Sequence, residues 1–149
     1  MYGPFPKSSR VVAKQIGQFA KEYSGKSLTE FYTNLESLEQ QLLTQVSTSW
    51  ATEVRRRCAE LFATECLARR SDWKRTQRAL ARLDELGYSN VERRGHFAIL
   101  LGHYARDFPQ AADEAYTRVE DALRRVRCLR KTSVLRIDYE SKLERILAN

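Results

Sequence analysis

From Lys26 to Leu86 the chain contains neither glycine nor proline, and its 149 residues hold only three prolines in all. Helix ends in that interval must therefore be read from weaker signals than the usual breakers. Cysteine is scarce and odd in number. Cys58, Cys66 and Cys128 show no CxxC or CxxH spacing, which excludes a zinc ribbon and a disulfide framework. They read as reduced thiols in small core positions, and the chain as cytoplasmic. The longest apolar run, Phe97 to Leu101, is far too short to cross a bilayer, and no apolar run follows a basic start at the N-terminus. A soluble protein with no membrane partner is expected. No GxSxG, P-loop, GxGxxG, HExxH or Glu-x-x-His pattern occurs, so no catalytic residue, cofactor or metal site is assigned and the protein is not read as an enzyme.

What the chain does have is helical periodicity. Asp72 is placed to cap a helix with apolar positions Trp73, Leu80, Leu83 and Leu86, and Gly87 follows as a left-handed stop. Ser89-Asn90-Val91-Glu92 then spells a capping box, which predicts a second helix from Asn90 and an antiparallel hairpin around the turn. Upstream, Ser8 or Ser9 opens a helix striped by Val12, Ile16, Phe19 and Tyr23 that stops at Gly25. A further capping box, Ser27-Leu28-Thr29-Glu30, starts the longest stripe: Leu28, Phe31, Leu35, Leu38, Leu42 and Val46.

The phase of that stripe continues through Trp50, Val54, Cys58 and Leu61, yet one helix from Leu28 to Arg70 would be about 64 Å long. A break at Ser47-Thr48-Ser49 is therefore favoured, with a third helix from Trp50 to about Arg69. Trp50 and Trp73 each open an apolar stripe and read as core. Asp107-Phe108-Pro109 ends one helix and begins another, striped by Ala112, Tyr116, Val119, Leu123 and Val126. A bend near Thr132-Ser133 precedes a last stripe of Leu135, Tyr139, Leu143 and Ile146. The fold class is all-α: an extended arm over 1–7, then a single domain over 8–149, a bundle or array of six to seven helices with mostly antiparallel neighbours.

Charge is unevenly spread. The net charge is +7 with 19 Arg against 7 Lys, while residues 27–54 contain four Glu and no Lys or Arg. Arg69, Arg70, Lys74, Arg75, Arg78 and Arg82 cluster with Asp72 as the single acid among them, and Arg75, Arg78 and Arg82 share a helix face. A second cluster runs Arg124, Arg125, Arg127, Arg130, Lys131 and Arg136. Guanidinium suits phosphate because its planar fork donates two parallel hydrogen bonds. No aromatics interleave, so contact with DNA or RNA backbone fits better than stacking on single strands. Arg69, Arg70, Lys74, Arg75, Arg78, Arg82, Arg124, Arg127, Arg130 and Lys131 are thus the candidate nucleic-acid residues of a non-catalytic binding or assembly protein. The plainer reading of the same residues is a solvated helix exterior.

The alternative is a protein adaptor, docking through the acidic helix 28–46 or the helix 90–106, or meeting an acidic protein partner through its arginines. On helix 90–106, Gly95, Ala98, Gly102 and Ala105 form a small-residue face that admits a close neighbour, internal by preference. His96 and His103 lie on nearly one side of it, but their α-carbons are about 10.5 Å apart along the axis, too far to share one metal ion. Both read as polar-face or boundary residues. A histidine phosphotransfer role is a distant third, since the Lys-Gly that follows such a histidine is missing.

Overall fold

A computed structural model of the protein describes residues 8–148; the arm expected over 1–7 lies outside them. Seven α-helices bear out the all-α reading: α1 Ser9–Tyr23, α2 Leu28–Gln45, α3 Ala51–Ala68, α4 Trp73–Leu86, α5 Val91–Tyr104, α6 Ala112–Arg127 and α7 Val134–Ala148. Among the described residues there is no strand.

Local chemistry sets the boundaries. The Ser8 hydroxyl accepts from the Val11 N–H, and the Ser27 hydroxyl from the Glu30 N–H at 3.2 Å, so both serines act as N-caps. The break between α2 and α3 falls where the hydroxyl cluster lies: Val46 leaves the helix in extended conformation and Thr48–Trp50 form one 3-10 turn. Asp72 caps α4, accepting from the Arg75 N–H at 3.0 Å, and Gly87 ends it at φ 81. The cap of α5 differs from expectation. Asn90, not Ser89, accepts from the Arg93 N–H at 2.8 Å, and the helix begins one residue later at Val91. Asparagine is as good a cap as serine, and one residue closer it reaches the third N–H of the helix. Pro109 opens a 3-10 turn ahead of α6.

The chain divides into two compact units. The first comprises the chain up to Glu65 with Ala79–Gly87, and the second Cys66–Arg78 with Tyr88 onward. In the first, Val12, Ile16 and Phe19 of α1 meet Phe31, Leu35 and Leu42 of α2 and Val54 and Cys58 of α3. The Arg56 guanidinium donates to the carbonyls of Gly87 and Leu86, satisfying acceptors that the end of α4 leaves open.

The second unit is built on α5, α6 and α7, each packed on the other two. Ala98, Val119, Ala122, Leu123, Val126 and Leu143 form its core. A β-carbon added to Gly95 would lie 3.0 Å from Tyr139, and one added to Gly102 would lie 2.8 Å from Ile146. The small-residue face therefore serves internal packing, as expected, and is filled by α7. Both pairs are offset equally along the sequence, so α5 and α7 run in the same direction, as in an up-down-up trio. Two residues beyond Gly102, the Tyr104 hydroxyl donates to the Ser71 carbonyl and its ring stacks on Phe108 at 4.3 Å.

Four positions expected in the core are exposed. Trp50 is 41% exposed because it sits in the 3-10 turn that breaks the stripe, Tyr116 is 56% exposed, and Ala112 at the start of α6 is exposed as well. Cys128 lies beyond the end of α6 and is exposed, whereas Cys58 and Cys66 are buried.

Candidate functional site

The ten candidate cations fare differently. Arg70 stands at the end of α3 with φ 53, the left-handed conformation usually left to glycine, and its guanidinium meets the Asp107 carboxylate at 2.5 Å. Arg69 is half-buried. On α4, Lys74 and Arg78 are exposed and Arg75 is half-buried. The Arg75 N–H and charge, with the Asp72 and Ser71 groups, hold the Asp72 carboxyl below the usual carboxylate range.

Arg82 does not join these as a free cation. It pairs with Glu85 at 3.4 Å and lines a cleft of the first unit with Tyr32, Glu36 and Glu39. Burial raises the Glu39 carboxyl there against the opposing pull of Arg82 and Arg55. The same burial, reinforced by Glu39, pushes the Cys58 thiol up to about 12. Arg82 therefore offsets acidic charge from α2, and the unpaired face read from Arg75, Arg78 and Arg82 loses its third member.

The second cluster is similarly sorted. Asp121 gathers Arg124, Arg125 at 3.0 Å and Arg94 at 3.4 Å. Burial pushes the Asp121 carboxyl up, but the hydrogen bonds from Arg125 and Arg124 prevail and hold it low. Glu120 precedes Arg124 by four residues, a spacing that suits an ion pair on a helix, but Asp121 is the acid that Arg124 meets. Arg127 pairs with Glu144 at 2.7 Å, and Arg136 pairs with Glu140 while donating to the carbonyls of Arg127 and Leu129. Arg136 thus caps α6 instead of facing solvent. Arg130 and Lys131, in the α6–α7 link, are exposed.

The two units differ sharply in charge. The sequence of the first carries nine Lys and Arg against nine Asp and Glu, and that of the second 17 against ten, so the entire +7 belongs to the second. Division by position along the chain had hidden this, because α3 and the end of α4 belong with the acidic helix.

One group was missed by reasoning from sequence clusters. His96, His103 and Arg106 from α5 and the turn after it line a groove of about 370 Å³ with Tyr139, Lys142 and Arg145 of α7, floored by Ile99 and Ile146. The signal was a repeat at helical spacing: Gly95-His96 and Gly102-His103, each glycine receiving α7 and each histidine flanking the contact. Among the described residues, no three of His, Cys, Asp and Glu are grouped as a metal site would require. No known protein family matches the sequence, and neither a curated protein nor a solved structure matches it.

Proposed function

We propose that the protein is a non-catalytic nucleic-acid-binding protein whose second unit contacts the phosphate backbone of DNA or RNA without reading base sequence. The observation that carries this reading is the partition of charge: one unit is neutral and the other holds the whole excess. Lys74, Arg78, Arg130 and Lys131 are the exposed cations among the candidates that no acid among the described residues engages by an ion pair, and Arg75 lies with Lys74 and Arg78 on α4. Cations of this kind bind polyanions by displacing condensed counterions, a mode that needs no pocket.

The test is fluorescence anisotropy of the full chain with labelled duplex and single-stranded oligonucleotides at two salt concentrations. Four duplex phosphate contacts give a slope of log affinity against log salt of about −3.6, or roughly 150-fold weaker binding at 200 mM than at 50 mM salt. Absence of binding to DNA and RNA alike at low salt would refute the proposal. The adaptor reading would then stand on α2, whose Tyr32 is 48% exposed beside Glu36 and Glu39 in an open cleft. The helix 90–106 no longer supports it, because its small-residue face is filled by Tyr139 and Ile146.

A further inference from the structure

The groove between α5 and α7 uses none of the ten candidate arginines and lysines. Its composition is that of a ligand site: a few polar groups converge over an apolar floor, and its volume falls at the small end of the range typical of small-molecule clefts. His96 is half-buried and His103 exposed, and Arg106, Lys142 and Arg145 are exposed cations. Among the described residues lining it, none is Asp or Glu.

The neighbouring acids are accounted for. Glu140 is paired with Arg136 at 2.8 Å and Glu144 with Arg127 at 2.7 Å, both toward the end of α6. Burial chiefly raises the Tyr139 hydroxyl, with Glu92 and Asp138 adding to it, and these acids stand toward the N-terminal side of the groove, whereas His103, Arg106 and Arg145 lie toward the C-terminal side. Lys142 lies over the Tyr139 ring at 5.5 Å, and neither it nor Arg145 forms an ion pair among the described residues. Their charge is left to the groove. The C-termini of α5 and α7 each contribute about half a negative charge, so three cations leave an excess near +2. A phosphodiester carries one negative charge, whereas a phosphate monoester carries about 1.5 to 2 at neutral pH. The balance suits the monoester.

We propose that this groove binds a nucleoside monophosphate: the phosphate among His103, Arg106, Lys142 and Arg145, and the nucleoside over Ile99, Ile146 and the Tyr139 edge. The ligand is a free nucleotide or the phosphorylated end of a strand. Backbone binding by the arginines of α4 and the α6–α7 link is not required for it.

The experiment titrates the isotopically labelled full chain with adenosine 5′-monophosphate, adenosine and inorganic phosphate, following amide resonances of α5 and α7. The monophosphate is expected to shift resonances around His96–Arg106 and Tyr139–Ile146, adenosine to leave them in place, and phosphate alone to bind at least tenfold more weakly. Replacing Lys142 and Arg145 together by Ala should weaken the monophosphate by about tenfold or more, each removing a charge-assisted contact. Both are exposed, so the circular dichroism should not change. The Lys74→Ala, Arg78→Ala variant should bind it as wild type does. A 5′-phosphorylated trinucleotide that binds as tightly as the mononucleotide assigns a strand end, and one that is excluded assigns the free nucleotide. Adenosine binding as well as its monophosphate, no shift at about 5 mM ligand, a millimolar level typical of weak sites, or unchanged affinity in the Lys142, Arg145 variant would each overturn the proposal.

Discussion

Two glycine-to-alanine substitutions, each inside a helix, should move stability in opposite directions. Glycine in a helix interior is less favourable than alanine by about 1 kcal/mol, because its backbone loses more freedom on folding. At Gly17, in the middle of α1, an added β-carbon has nothing within 4 Å, so that gain should appear almost whole, about 0.5 to 1 kcal/mol of stabilisation. At Gly102 the same carbon would stand 2.8 Å from Cγ2 and 3.1 Å from Cδ1 of Ile146. Cγ2 can swing clear only by rotation about χ1, and a β-branched side chain in a helix keeps strongly to one χ1 rotamer, so relief costs an unfavourable rotamer or a shift of α7. Overpacking of this kind costs about 1 to 3 kcal/mol, which set against the helical gain leaves a loss of roughly 0 to 2 kcal/mol. Urea denaturation followed by circular dichroism gives both values. The pair Gly102→Ala with Ile146→Ala completes a cycle, and since the second change removes the clashing atoms, a coupling of about 1 kcal/mol or more is expected. A Gly102→Ala protein stabilised as much as Gly17→Ala would show that α7 does not press on α5, and with it the packing of the second unit would fall.

Other consequences can be checked as directly. Leu83 and Leu101 are both fully buried, so alanine at either should cost about 2 to 5 kcal/mol in denaturation, and a loss under roughly 1 kcal/mol would mean that the side chain is exposed. With a thiol reagent in native buffer, Cys128 should react fast while the buried Cys58 and Cys66 wait for unfolding; three equally fast thiols would contradict their burial. The Asp72 carboxyl is held low in the folded state, so it stabilises above its unfolded pKa, and this is lost as pH falls through the depressed folded value. The stability gap between wild type and Asp72→Ala should therefore be open at neutral pH and close in acid; a gap independent of pH means that the cap carries no charge effect. Arg70→Gly should gain about 1 kcal/mol from relief of its left-handed backbone, less what the exposed Asp107 pair contributes, and a marked loss would show the pair to be the stronger term.

Helix existence and most boundaries were legible because they rest on local chemistry. Ser27, Asp72 and Gly87 act within a few residues of themselves, and no distant contact overrides them. The shift from Ser89 to Asn90 is a contest between two adequate caps, which local preference cannot rank. Trp50 is exposed because the stripe's phase runs on across a 3-10 turn that interrupts the helix, and Tyr116 because periodicity says which residues share a face and not how far the neighbouring helix extends over it. Charge was the least legible property. The Arg82–Glu85 and Asp121–Arg124 pairs lie three residues apart on one helix, but only three-dimensional proximity brings Arg94 to Asp121 and Glu144 to Arg127. The α5–α7 groove escaped for the same reason, since its two walls are separated by the whole of α6.

The two glycines of α5 act as notches of fixed spacing, seven residues apart, and Tyr139 and Ile146 are teeth of the same pitch. Sliding α7 by one turn, about 5.4 Å, would bring Lys142 or Leu143 against the Gly95 notch. That would either bury an ammonium or pull Leu143 out of the core it now fills. Neither state is a cheap excursion, so the two helices are held in one register. The walls of the groove are then set in place before any ligand arrives, and an incoming anion has to order only itself and a few long side chains.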